Sequence, residues 1–311
     1  MSSCFNSAAY SYLANSPLVS QIAFRSNSVT RMTTSKSYDN LNRLLRTASA
    51  PSASSGVSFD FQMNDANQRT RITHADGSYW IYEYDSLGQV KTGKHYWSDG
   101  TPVAGQQNEY AFDDIGNRSS TKEGGDASGA NLRSATYTAN SLNQYTQRDV
   151  PGTNDIIGIA NAAATVTVNN STTYRRGEYY QLAISINNAS AAVWQSVTNK
   201  ATLNSTTNTT TGNLFLPKTP EPFTFDKDGN LTSDGRWTNK WDGENRLTKM
   251  EGQSSLPTGA RLSLDFAYDS QFRRVGKVVS NWTGSAWSKV SENRFRYDSW
   301  NLIAIDRKSV V

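Results

Sequence analysis

The heptad Trp241-Asp242-Gly243-Glu244-Asn245-Arg246-Leu247 decides the fold, because variants of it recur along the chain. Each copy has an aromatic residue, Asp or Asn, two variable residues, Gly or Asn, a polar residue, and then Leu, Val or Arg. Other clear copies span 38–44, 84–90, 112–118 and 225–231, and weaker ones begin at Met63, Ala139, Tyr268 and Tyr297. Starting positions 16 to 29 residues apart are typical of a β-hairpin repeat.

The residue types within one copy predict a strand, a turn and a second strand. The aromatic residue ends a strand whose alternate residues share a face, as Trp80, Tyr82 and Tyr84 do. Asp or Asn can bond the backbone two residues on, and Gly or Asn supplies a left-handed turn conformation. Because one hairpin buries too little to be stable alone, copies are expected to stack into a continuous sheet. The residues expected to build these turns are Tyr38, Asp39, Tyr84, Asp85, Gly88, Phe112, Asp113, Gly116, Phe225, Asp226, Gly229, Trp241, Asp242, Asn245, Tyr268, Asp269, Tyr297 and Asp298.

Composition agrees with an aromatic-rich but polar β protein. The 311 residues carry a net charge of +4, a mean hydropathy of −0.64 and 11% aromatic residues. The low hydropathy argues against one large hydrophobic core, and the aromatic content argues against a disordered chain.

Several functional classes are excluded by what the sequence lacks. No apolar run is long enough to cross a bilayer, and residues 1–20 do not have the pattern of a signal peptide. One cysteine, Cys4, cannot form an internal disulfide, and with His74 and His95 it cannot complete a zinc site. No nucleophile, base and orienting group are placed together, so we expect no enzyme, no catalytic residue, no metal and no cofactor.

The repeated Tyr-Asp-x-x-Gly/Asn-Arg-Leu pattern, over about residues 33–150 and 223–305, resembles the YD-repeat or Rhs family. The resemblance implies an all-β fold, a coiled sheet of YD-repeat hairpins that forms part of a hollow shell. It also implies that the shell encloses a C-terminal toxin. Teneurins use a similar shell in adhesion.

Two departures from the family pattern suggest a fragment of a larger protein. The Asp-Pro-x-Gly-Leu element at which the family is implied to cleave itself is absent, and no variable toxin domain follows. Residues 306–311 break the pattern and resemble a translated sequencing adapter, so we expect a non-native tail after Ile305. Residues 1–32 are expected to be an irregular N-terminal segment.

Residues 151–222 interrupt the repeats and predict a small all-β, sandwich-like insert. Alternation at period two predicts strands at 164–169, 179–186 and 194–203, followed by a polar loop at 204–212. Tyr179, Tyr180 and Trp194 are candidate sugar-binding residues, although core packing explains them more simply.

Two further binding hypotheses have simpler explanations. Asp226, Asp228 and Asn230 offer oxygen ligands that Ca²⁺ favours, but the Gly and Glu spacing of a calcium loop is missing, so a metal-free turn is preferred. Arg273, Arg274 and Lys277, with Phe272 and Trp282, could form a phosphate patch. Because the charge density is low, solvated sheet faces are preferred and no nucleic-acid partner is expected.

The expected function is that of a structural shell segment in a larger secreted toxin-type protein. Its partners are then the remainder of the same shell and an enclosed toxin domain, and the resemblance implies a secreted or cell-surface location. The alternative is a cell-surface adhesion or carbohydrate-binding protein that binds surface glycans through the β insert.

Overall fold

The computed structural model describes residues 6–309, which form two compact units. One unit comprises residues up to 111 together with 121–132, and the other comprises 112–120 together with the residues from 133 onward. Nearly all of the regular structure in both is β-strand, so the predicted all-β class is confirmed.

In the first unit, sequential strands pair with their neighbours in antiparallel order. The strands are β1 (Asn6–Tyr12), β2 (Val19–Ser26), β3 (Val29–Tyr38), β4 (Leu44–Pro51), β5 (Val57–Met63), β6 (Arg69–His74), β7 (Tyr79–Tyr84), β8 (Val90–Tyr96) and β9 (Pro102–Phe112). The chain passes between the two units at the end of β9 and within β10 (Arg118–Gly124) and β11 (Leu132–Ala139).

The second unit contains the insert and the later repeats. Its strands are β12 (Tyr145–Arg148), β13 (Thr153–Ile159), β14 (Thr165–Val168), β15 (Ser171–Thr172), β16 (Tyr174–Arg176), β17 (Tyr179–Ser185), β18 (Val193–Leu203), β19 (Thr206–Leu216), β20 (Glu221–Pro222), β21 (Thr224–Phe225), β22 (Leu231–Ser233), β23 (Trp237–Trp241), β24 (Leu247–Gly252), β25 (Leu262–Tyr268), β26 (Arg274–Trp282), β27 (Trp287–Asp298) and β28 (Asn301–Ser309). Strands β21 to β28 form one eight-stranded antiparallel sheet in sequence order.

The expectation of an irregular segment at 1–32 is wrong for the described residues. Residues from 6 onward form β1, β2 and the start of β3, and β1 pairs with β2 from Asn6↔Ser26 to Tyr12↔Val19. These strands lack the YD turn, but their short polar and apolar residues alternate well enough to extend the sheet. Residues 1–5 lie outside the described part.

The last strand continues beyond the expected end of the native sequence. In β28, Asp306, Arg307 and Lys308 pair with residues 292–294 of β27. They therefore extend the sheet, and their non-native origin stays a prediction. Val310 and Val311 lie outside the described residues.

The insert consists of two small antiparallel sheets. One has the order β13-β17-β16 and the other β15-β14-β18-β19. Beside them, Val150, Ile186 and Leu216 form a buried apolar cluster. The predicted polar loop at 204–212 is wrong, because only Asn204 and Ser205, both with positive φ, form the turn. Long stretches of Thr and Asn then continue as β19, since threonine is β-branched and favours strands.

An aromatic cluster in the first unit contains both histidines. The ring of His95 stacks on Trp80 with centroids 4.7 Å apart and lies 5.5 Å from the ring of His74. His95 Nδ1 lies 2.9 Å from Gln106 Oε1, whereas its buried Nε2 has no hydrogen-bond partner among residues 6–309. Burial lowers the pKa of His95 below 6.5, although the bond to Gln106 opposes this shift.

Because this pKa is depressed, we expect the first unit to lose stability in mild acid. Because the unfolded chain binds the proton more readily than the folded one, the free energy of unfolding should fall as the pH decreases below 6.5. Denaturant titrations between neutral pH and the onset of carboxylate protonation measure this slope. His95→Phe keeps a ring beside Trp80 and should flatten the profile. An equal slope in that variant would contradict the assignment.

Candidate functional site, a ladder of repeated turns

Each repeat copy bends the sheet at its first residue. The register shifts immediately before Tyr38, Tyr84, Trp241 and Tyr268, so that one residue of the returning strand bulges out. The first residue of the copy then pairs with the seventh, as in Tyr38↔Leu44 and Trp241↔Leu247. A bulge increases the local twist of a strand pair, so these four copies introduce similar bends.

The acidic second residue closes the turn. In the copy at Trp241, Asp242 Oδ1 accepts hydrogen bonds from the backbone N–H groups of Glu244 and Arg246, both at 3.0 Å. The N–H of Arg246 lowers the pKa of Asp242, partial desolvation opposes that shift, and the guanidinium of Arg246 lowers the pKa further. The carboxylate is therefore charged and occupied at neutral pH. The same bonding to the fourth and sixth residues is made by Asp39, Asp85, Asp113, Asn140, Asp226 and Asp269.

The fifth residue takes the left-handed conformation that the sequence pattern indicates. Gly88, Gly116, Gly229, Asn42 and Asn245 all have positive φ, between 57° and 91°. The copy at Tyr268 departs from the pattern, because Phe272 holds φ at 62° in that position. A bulky side chain rarely adopts this conformation, so this turn is held by its surroundings.

The aromatic first residue joins its own copy to the preceding one. Tyr268 Oη donates to the carbonyl of Leu247 at 2.9 Å, and Leu247 is the seventh residue of the previous copy. Trp241 Nε1 donates in the same way to the carbonyl of Leu231, also at 2.9 Å. Equivalent bonds run from Tyr84 to Arg69 and from Tyr297 to Arg274.

The sixth residue joins its copy to the following one, a role that the sequence interpretation missed. Arg246 Nε contacts Asp242 Oδ2 at 2.8 Å, while its Nη1 reaches the carbonyl of Asp269 in the next turn at 3.5 Å. Its guanidinium also lies 5.5 Å from the ring centroid of Tyr268. Arg43 and Arg273 make corresponding contacts to Asn64 and Ser299. The signal in the sequence was an Arg four residues after the Asp.

The copy at Ala139 keeps the link with a different residue. It has no aromatic first residue, but its seventh residue, Tyr145, accepts a hydrogen bond at Oη from the backbone N–H of Arg118. That bond is 2.7 Å long, and Arg118 is the seventh residue of the preceding copy. An aromatic side chain can therefore reach the same place from the opposite strand of the hairpin.

The last copy, at Tyr297, is one residue short of the heptad. Tyr297 pairs with Leu302, and Asp298 pairs with Asn301, so Ser299 and Trp300 form a two-residue turn. The positive φ, 51°, consequently falls on Ser299. Asp298 pairs across the strand ends instead of closing a six-residue turn.

Removing one phenol tests the link between copies. Tyr84→Phe should lower the free energy of unfolding of the first unit by about 1 kcal/mol, because the hydrogen bond to the Arg69 carbonyl is lost while the ring stays. Tyr10→Phe, at an exposed position of the same unit, should cause no measurable change. Equal effects of the two substitutions in urea titrations would contradict the role of the phenol.

The three candidate ligand-binding residues of the insert do not come together. Tyr180 lines a cleft, whereas Tyr179 is its neighbour on β17 and points to the opposite face. Trp194 lies near the start of β18, with Nε1 2.6 Å from where a Cβ on Gly259 would be. Its ring therefore packs on that glycine, away from the cleft.

The oxygen-rich and basic clusters are occupied by contacts within the repeats. Asp226 accepts bonds from Asp228 and Asn230, as the other turn carboxylates do. No three His, Cys, Asp or Glu side chains converge as metal ligands within residues 6–309. Arg273 pairs with Asp269, and Arg274 lies over the ring of Phe266 at 4.4 Å. The same part of the chain has no helix long and apolar enough to cross a membrane.

The fold and the turns define a protein built from antiparallel β-hairpin repeats. Residues 64–101 match the family model of the RHS Repeat. This segment contains the copy at Tyr84, so the chain carries an RHS repeat and the expected resemblance to that family is confirmed. No curated protein is similar to the chain at a significant level.

Several solved structures are similar to this chain. The matched chain in the crystal structure of TcdB2-TccC3-Cdc42 is 12% identical in sequence to this chain, with a TM-score of 0.44. The matched chain in the crystal structure of TcdB2-TccC3 without hypervariable C-terminal region is also 12% identical, with a TM-score of 0.43. Each match covers 94% of this chain and 14% of the other. A porin-like protein from Bacteroides uniformis is 11% identical over 92% of this chain and 93% of its own, with a TM-score of 0.26.

Proposed function

We propose that this chain is a wall segment of an RHS-type shell in a larger secreted protein, and that the shell encloses a C-terminal effector. The observation that carries the proposal is the ladder of turns, in which side chains of one copy bond the backbone of the next. A wall must resist opening between its strands, and these contacts supplement the backbone hydrogen bonds at one end of each hairpin.

The contacts between neighbouring copies are suited to a wall that is built from repeats. In the copies at Trp241 and Tyr268, the aromatic residue contacts the preceding copy and the arginine contacts the following one, so each of these two copies is stabilised by both neighbours. Stability then depends on nearest-neighbour contacts, as in other repeat proteins. The proposed role is mechanical and requires no catalytic residue.

The tips of the turns in each unit offer apolar contacts to a partner. The fourth residue of five copies is a large apolar side chain that is 70–74% exposed. These residues are Leu41, Leu87, Ile115, Leu142 and Trp300. Leu41 and Leu87 belong to one unit and the other three tips to the second unit. Because the apolar tip recurs at the same position of the repeat in both units, we assign its partner as the remainder of the same shell.

Limited proteolysis of the parent protein tests containment. Sequencing the locus beyond both ends first supplies the complete reading frame, which must continue into repeats and a C-terminal domain. In the purified parent protein, the C-terminal domain should resist protease longer than the same domain released from the shell. Equal digestion rates, or a reading frame without such a domain, would overturn the proposal.

A matched pair of variants connects this protection to the ladder. Arg246→Met removes the contacts to Asp242 and to the next turn, and it should accelerate cleavage of the enclosed domain. Arg296→Met changes an exposed arginine on β27 outside the ladder, and it should leave the rate unchanged.

A further inference from the structure

A cleft of about 630 Å³ lies in the insert and is separate from the turn ladder. Its floor is one face of the β18–β19 hairpin, with Asn199 opposite Thr210 and Ala201 opposite Asn208. Its wall comes from the other small sheet and contains Tyr180. The volume is within the range of clefts that bind small molecules.

The ring of Tyr180 is held in place by a glycine. Gly158 pairs with Tyr180 across β13 and β17. A Cβ on Gly158 would lie 2.6 Å from both Cζ and Oη of Tyr180, so the ring covers the bare backbone at this point. This cross-strand pairing of glycine and an aromatic ring fixes the orientation of the ring at the wall of the cleft.

The loop beside the ring is fixed by an arginine. Arg175 donates to the carbonyl groups of Ala164 at 3.0 Å, Asn161 at 3.0 Å, Ala160 at 3.3 Å and Gly177 at 2.9 Å. The first three of these residues line the cleft. A wall held in this way loses little conformational entropy when a ligand binds, which favours affinity.

The polar groups of the cleft are amides and hydroxyls. Asn199 Oδ1 is buried with no hydrogen-bond partner among residues 6–309. If the side chain rotates, this oxygen can accept a hydrogen bond from a ligand without breaking an existing one. Asn208, Thr206 and Thr210 are exposed at the opening. Lys200 is the charged lining residue, and its Nζ lies 3.1 Å from Asn170 Oδ1.

We propose that this cleft binds a neutral oligosaccharide. Sugar hydroxyl groups both donate and accept hydrogen bonds, as asparagine amides do, and the C–H face of a sugar ring packs on an aromatic ring such as that of Tyr180. Among the described residues, no carboxylate lines the cleft to bind a cationic ligand. The site uses Tyr180 from the residues suggested by sequence and replaces Tyr179 and Trp194 with Asn199 and Asn208.

Titration of the full chain with oligosaccharides tests the site. The probes are cellotetraose, maltotetraose, xylotetraose and chitotetraose, and binding is measured by calorimetry and by ligand-observed NMR. At least one probe should bind. Tyr180→Ala and Asn208→Ala should each weaken that binding by about tenfold or more, since each removes a direct contact.

The controls separate ligand contacts from folding. Tyr179→Ala removes the neighbouring tyrosine on the opposite face and should leave the affinity unchanged. Asn208 is exposed on β19, so its substitution should not alter the thermal unfolding of the chain. The proposal is overturned if none of the four probes binds, or if Tyr180→Ala and Asn208→Ala bind as tightly as the unchanged protein. Either result leaves the proposed shell function untouched.

Discussion

Arg148→Met is expected to lower the free energy of unfolding of the second unit by about 3 kcal/mol, because it leaves a buried carboxylate unpaired. Arg148 Nε lies 2.6 Å from Glu221 Oε2, and this contact joins β12 to β20 where the chain returns from the insert. The Glu221 side chain is 5% exposed and that of Arg148 is 39% exposed. Without the guanidinium, the Glu221 carboxylate still accepts the hydrogen bond from the backbone N–H of Gly235, which lies 3.2 Å from Oε1.

Two further variants distinguish this cause from lost packing. Adding Glu221→Gln to Arg148→Met removes the charge and should restore part of the stability. Arg46→Met breaks an ion pair to Asp60 whose side chains are 48% and 42% exposed, and it should cost at most about 1 kcal/mol. Chemical denaturation measures all three. An Arg148→Met effect no larger than that of Arg46→Met would show that the buried pair is not special.

Leu216→Ala should destabilise the second unit by about 3 kcal/mol, through lost burial and the cavity left behind. Leu216 is 4% exposed and lies with Val150 and Ile186 in the buried cluster beside the insert. Few of the residues that the structure describes are fully buried, so neighbouring strands have little other apolar material to fill the space. Denaturant titration gives the change in free energy directly.

The same substitution at the tip of a turn provides the control. Leu142 belongs to the same unit and is 74% exposed, so Leu142→Ala should change stability by about 0.5 kcal/mol at most. If both alanine variants were equally destabilised, the cluster at Leu216 would not be a core.

The turns were predictable because their determinants are local. An Asp side chain and the N–H groups that it caps lie within five residues, and a left-handed position favours Gly or Asn. Asp85 and Gly88 could therefore be assigned from seven letters of sequence. The shorter turn at Tyr297 also has a local cause, since that copy lacks one residue of the heptad.

The partners of these residues could not be predicted from the repeat alone. Arg246 reaches Asp269, and Tyr145 replaces a missing aromatic residue. Both contacts depend on how adjacent hairpins align. The binding residues of the insert were harder still to predict from sequence. Tyr179 and Tyr180 are the same residue type, and only their positions on β17 place one of them at the cleft.

The sequence by itself determined the all-β class and the repeated turns, because these follow from side chains that act on their own backbone. The tertiary structure decided which side chains join one copy to the next, which strands replace the expected irregular and loop segments, and which residues line the cleft. Those features depend on the pairing of distant strands, where a change of one residue in register exchanges the two faces of a strand.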